Sequence, residues 1–182
     1  MRTRRPQSPP AATRATAKTA WLVIGYGNTL RGDDGVGPRI AEAVAALRLP
    51  GVQTCSCQQL SPEHAALLAR AERVIFVDAA VDAPREVQWR PLTPGPTPQL
   101  MAHAADPRTL LALAREVFGH VPAAWWLTIP ARHMEFSETL SPEAQTHCVE
   151  ATAAIQRRVN LPDNSESRNE EDRSSAAQSR AT

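Results

Sequence analysis

Strong net charge is the first thing this sequence lacks. Twenty Lys plus Arg stand against nineteen Asp plus Glu, a formal net charge of +1 over 182 residues. No bulk field therefore points to nucleic acid or an anionic membrane as the main partner. A long apolar run is also missing, because arginines, prolines or acids interrupt every candidate stretch short of the roughly 18 residues that span a bilayer. Cysteine is sparse: Cys55, Cys57 and Cys148 form an odd set with no C-x-x-C pair and none of the dense, even pattern of a secreted disulfide scaffold. These absences suit a soluble protein of a reducing cytoplasm, expected to be a monomer with neither a nucleic-acid nor a membrane partner.

What is present is enough for one domain. A hydrophobic content of 42% over this length builds one sizeable core and not two. Residues 1–19 hold five basic residues and no acid among Ser, Thr, Pro and Ala, the composition of a disordered leader. No apolar segment follows Arg4-Arg5, so the pair does not read as an export signal. Residues 160–182 turn to Ser, Asn, Glu, Asp and Arg, a solvated polar tail. The working domain is residues 20–159.

Along that domain, Trp21–Ile24 is a continuous apolar run ending at Gly25, as in a strand buried on both faces of a parallel sheet. Val36, Ile40, Val44 and Leu47 then recur at helical spacing, with Pro38 near the start where a missing N–H costs little. Residues 52–58 read as a second strand, and Ser61-Pro62 opens a short helix through Arg70. Val74–Val77 is the most strand-like run, expected to stop at Asp78. Residues 86–92 read as a further strand, followed by a proline-rich loop that ends near His103. Asp106-Pro107 caps a helix with an apolar face at Leu110, Leu111, Ala114 and Val117 and a C-terminal Gly119. Trp125–Ile129 is the last strand, and Ser141-Pro142 starts the last helix. Alternating strands and helices predict a single α/β domain: a mainly parallel, twisted sheet of about five strands with helices on both faces. Ligands of such sheets sit beyond the carboxyl ends of the strands.

The loop from Gly25 to Gly37 carries the most information. It is not a dinucleotide fingerprint: Leu30 stands where the third glycine is required, and the second strand ends in Gln58-Gln59 with no ribose-binding acid. Asp33 and Asp34 would repel a phosphate but suit a cation. One of them is expected to cap the helix from Val36, which leaves the other for function. Asp78 is placed at the mouth of the sheet. Of the five histidines, only His103 lies in a loop that a sheet-edge crevice could recruit. Two carboxylates and an imidazole form a mixed O/N set for a borderline divalent metal such as nickel or zinc, with positions left open.

Four segments in order resemble the hydrogenase maturation endopeptidases, which process the large subunit of nickel-iron hydrogenases. They are Gly25-x-Gly27-Asn28-x4-Asp33-Asp34-Gly35-x-Gly37; Val77-Asp78-Ala79 after an apolar strand; His103 before the Leu-Ala-rich 110–114; and Leu140-Ser141-Pro142. The resemblance spans about residues 21–159. It implies a phosphorylase/hydrolase-like α/β fold and an endopeptidase acting on a hydrogenase large-subunit precursor. Asp34, Asp78 and His103 are then the metal-binding and catalytic residues, and Gly25, Gly27, Asn28, Asp33, Gly35 and Gly37 form the supporting loop. It further implies that the nickel arrives in the precursor, so that no cofactor is bound at rest. Two rival readings are a nickel-binding assembly chaperone without peptidase activity and a nucleotide-binding α/β enzyme.

Overall fold

A computed structural model of the chain describes residues 19–81, 84–95 and 106–161. The expected leader up to residue 18, the tail from residue 162 and His103 lie outside the described residues. Five strands, β1 (Thr19–Tyr26), β2 (Val52–Cys57), β3 (Ala71–Ala80), β4 (Gln88–Leu92) and β5 (Ala123–Pro130), form one sheet in the order β2-β1-β3-β5-β4. All neighbours are parallel except β4, which runs antiparallel to β5 at the edge. Four helices, α1 (Val36–Ala46), α2 (Ala65–Leu68), α3 (Pro107–Phe118) and α4 (Pro142–Asn160), cover it.

Alternation along the central strands produces two cores. Trp21, Val23, Ile75, Val77, Leu127 and Ile129 face α1 and α4, where Ile40, Val44 and Ile155 meet them. Leu22, Ile24, Val74 and Phe76 face the other way, onto Leu68 of α2 and Leu110 and Leu111 of α3. The strands are buried on both faces, which is why their sequences run apolar without a polar alternate. The predicted helix starts hold: Asp106 Oδ1 accepts from Arg108 N at 2.8 Å, and Ser141 Oγ accepts from Ala144 N at 3.2 Å. Gly119 ends α3 in the left-handed conformation, φ 68°.

Three expectations are corrected. β3 does not stop at Asp78 but continues to Ala80, since Asp78 pairs with Thr128 and Ala79 with Ile129 on β5; the ladder to a long neighbour outlasts the apolar run. The strand predicted from Glu86 begins at Gln88. Val117 keeps the helical spacing of the α3 stripe yet is 62% exposed, so among the described residues none covers that last turn.

Candidate functional site

The glycine-rich loop lies against the carboxyl ends of β1 and β3, and its glycines are there because side chains would not fit. A Cβ on Gly25 would stand 1.9 Å from the Gly37 carbonyl oxygen, so the first turn of α1 sits directly on the strand. Gly27 has φ +140°, and a Cβ on it would lie 2.0 Å from the Asp34 carbonyl oxygen. The chain then folds into a tight turn, Gly32–Gly35, that holds both aspartates.

Asp33 and Asp34 have separate tasks, and neither caps α1: Gly35 holds that position, with no side-chain cap bond. Asp33, only 1% exposed, turns away toward the connection between β5 and α4. Its Oδ2 accepts from the backbone of Arg132 (3.1 Å) and His133 (3.0 Å) and from Ser141 Oγ (3.0 Å), and its Oδ1 accepts from Ser141 N (2.8 Å). Burial opposes the charge, but these bonds outweigh it and hold the carboxyl below its ordinary range. Asp33 N adds a bond to the His133 carbonyl at 2.7 Å. Asp33 is thus a clasp between two segments of the sequence, and Ser141 serves both the clasp and the start of α4.

Asp34 faces the other way. Its Oδ2 accepts from Asn28 N at 3.0 Å, while Asn28 Oδ1 accepts from Leu30 N at 3.0 Å, so Asn28 shapes the turn with both its backbone and its side chain. Asp78 is half-buried at the carboxyl end of the sheet. Burial first, and the Asp34 charge as well, push its carboxyl up to about 6, against the pull of Tyr26 and the Ala79 N–H. The Asp34 charge thus reaches Asp78 at the carboxyl edge of the sheet, as expected for a pair that would share a cation.

Polar side chains around Asp78 were not anticipated. Tyr26 ends β1 beside it, and its hydroxyl is directed at Asp78 and the Trp126 ring N–H without reaching full hydrogen-bond geometry. Burial, reinforced by the Asp78 charge, keeps this phenol protonated far above its ordinary range. Tyr26 Oη, Trp126 Nε1 and Thr128 Oγ1 are buried without a hydrogen-bond partner among the described residues. Alternation could have flagged them, since Tyr26, Asp78, Trp126 and Thr128 all fall on the even positions of their strands, the face of Leu22 and Phe76. The α3 cap Asp106 adds its charge near Tyr26. The described structure thus resumes at Asp106, three residues after His103, near Tyr26.

No family model matches the sequence, and neither does any curated protein. Solved structures do match. A hydrogenase 2 maturation peptidase from Thaumarchaeota archaeon SCGC_AB-539-E09 superposes with TM-score 0.58 at 23% identity, covering 79% of this chain and 99% of that one. The chain has the fold of the hydrogenase maturation proteases. The [NiFe] hydrogenase maturation protease HycI from Thermococcus kodakarensis KOD1 gives TM-score 0.61 at 21% identity, with coverage of 77% and 92%. The hydrogenase maturating endopeptidase HybD from E. coli gives 0.58 at 20%, with coverage of 78% and 94%. Among the described residues no helix is long and apolar enough to cross a membrane.

Proposed function

We propose that the chain is an endopeptidase that removes the C-terminal extension of a nickel-loaded hydrogenase large-subunit precursor. The reading rests above all on the meeting of Asp34 and Asp78 at the carboxyl edge of a sheet with this fold. Asp34 and Asp78 supply two oxygen donors, and His103 is the third ligand. Three peptide units separate His103 from the Asp106 cap, a reach of about 10 Å for extended chain, and Asp106 already lies near Tyr26. Two carboxylates and an imidazole suit a borderline ion and leave positions for ligands that nickel brings with it.

The nickel is part of the substrate. A precursor without metal leaves Asp34 and Asp78 as two acids in mutual repulsion, whereas a precursor carrying Ni(II) relieves that repulsion and is held with its scissile peptide in the crevice. Metal insertion thereby becomes the test for cleavage, and the gain is positional. The acid pair holds no nickel of its own before the precursor docks. Tyr26, held protonated by its burial and the Asp78 charge, keeps its hydroxyl turned toward Asp78, where it can donate to the carboxylate that grips the ion.

Mass spectrometry of nickel-loaded and metal-free precursor, each incubated with the purified chain, tests the reading. The expected result is a shortened precursor in the nickel-loaded sample alone. Cleavage of both would remove the nickel dependence. Tight binding without cleavage would make the protein an assembly chaperone. Asp34→Asn, Asp78→Asn and His103→Ala should each leave the precursor uncut.

A further inference from the structure

Cys55 and Cys57 alternate with Thr54 and Ser56 on β2, so their side chains leave the strand on one side. The turn after β2 brings His64 back to them. The two thiol sulfurs and one ring nitrogen of His64 all lie within 4.8 Å of one another, and all three residues are half-buried. Sequence spacing alone did not suggest this, because the three residues follow none of the usual short metal-binding patterns.

We propose that Cys55, Cys57 and His64 form a binding site for one thiophilic transition-metal ion of the Zn(II) class, distinct from the Asp34–Asp78 pair. Zn–S bonds of about 2.3 Å and Zn–N bonds of about 2.0 Å in a tetrahedron put the donors roughly 3.5 to 3.8 Å apart. Donors that all lie within 4.8 Å of one another need to close by no more than about 1.3 Å to reach that spacing. The imidazole is already oriented: Nδ1 stands 3.0 Å from Ser61 N, 3.0 Å from Ser61 Oγ and 3.1 Å from Ser61 O. Nδ1 accepts from the Ser61 N–H; coordination through Nε2 moves the ring proton to Nδ1, and that bond is exchanged for one from Nδ1–H to the Ser61 carbonyl or hydroxyl, the outer support that metal-bound histidines usually have. Binding releases one proton from each thiol and leaves a neutral imidazole, giving two thiolate donors and one nitrogen donor with a fourth position open.

The main competitor for the sulfurs is a Cys55–Cys57 disulfide. Residues two apart on an extended strand have Cα atoms about 6.6 Å apart, at the long limit of disulfide geometry, and both residues are free thiols. Cys57 is also the register partner of Tyr26. The site therefore lies one strand from Tyr26 and two from Asp78, along the same carboxyl edge.

The test uses the full chain, reduced and stripped of metal with a chelator. Titration with Co(II) should produce a thiolate-to-metal charge-transfer band and tetrahedral d–d bands that saturate at one equivalent, and Zn(II) should bleach them. Zn(II) should also protect Cys55 and Cys57 from iodoacetamide while leaving Cys148, on α4, as reactive as before. Cys57→Ser, a near-isosteric change, should abolish the band and the protection with the melting temperature of the metal-free protein retained; His64→Ala should shift the d–d bands. An Asp34→Asn, Asp78→Asn double variant should bind Co(II) as the parent does, which separates this site from the proposed precursor grip. Absence of the band at one equivalent, its persistence in Cys57→Ser, its loss in the double variant, or a Cys55–Cys57 disulfide as the stable native form would each overturn the proposal.

Discussion

Asp78→Asn should make the protein more stable and leave it unable to process precursor. Burial and the Asp34 charge lift the Asp78 carboxyl from its ordinary 3.8 to about 6, so keeping it ionised at pH 7 costs the folded state about 3 kcal/mol. An asparagine never ionises, while its Oδ1 still accepts from the Ala79 N–H. Allowing about 1 kcal/mol for weaker hydrogen bonds, the net gain is about 2 kcal/mol, or roughly 6 to 8 °C in Tm for a domain of this size. The sign follows from linkage. With the folded value raised, the folded state binds the proton more tightly between about 4 and 6, so the parent loses stability as pH rises through that window and the loss is complete above it. Thermal unfolding of parent and variant between pH 4 and 8 should give curves that meet near pH 4, diverge between 4 and 6 and stay a constant distance apart above 6. Curves that run parallel over the whole range, or an Asn variant less stable at pH 7.5, would refute the account of Asp78 as a strained acid.

Asp33→Asn should act in the opposite direction. Its amide nitrogen would face donors now gathered on a carboxylate, and loss of that charge-assisted set should cost about 3 kcal/mol, read by urea denaturation at pH 7. The depressed carboxyl also means that the stability it contributes is present at neutral pH and disappears as pH falls through the folded value. Gly25→Ala would force a methyl group to within 1.9 Å of the Gly37 carbonyl oxygen, so a loss of about 3 kcal/mol or an insoluble product is expected. Tyr26→Phe removes a buried hydroxyl that makes no full hydrogen bond, so stability should change by less than about 1 kcal/mol. The Asp78 titration should meanwhile move higher, measurable by NMR of its carboxyl carbon, because the hydroxyl now pulls it down.

The order of elements was legible in the sequence because each strand and helix carries its own period: apolar runs for strands buried on both faces, three-and-four spacing in α1 and α3, and Ser or Asp before Pro at helix starts. The antiparallel direction of β4 was not, since residues 88–92 read the same whichever way the chain runs. The loop was legible as a pair of acids suited to a cation, with Asp34 singled out only by the resemblance to the endopeptidases. The division of labour within the pair was not: Asp33 owes its role to four donors on residues about 100 positions away, and no local pattern contains them. The β3 boundary failed for a related reason. Asp78 is a poor strand former, but pairing with Thr128 keeps it in the ladder and overrides its propensity. The Cys55–Cys57–His64 cluster was equally hidden, because the short turn that returns His64 to β2 is a three-dimensional fact.

The bond between Asp33 and Ser141 spans 108 positions, which makes the loop holding Asp34 one of the last parts of the molecule to become rigid. A nascent chain whose residues up to 130 have left the ribosome has every strand of the sheet available, yet the four donors that anchor Asp33 belong to residues 132, 133 and 141. Contacts this distant along the chain close slowly and form after local ones. On the proposed reading, a partly made polypeptide has its sheet before it has the clasp that steadies the Asp34 loop, and cleavage competence would arrive with α4. Any agent that peels α4 from the sheet would loosen the Asp34 loop without touching Asp34 or Asp78.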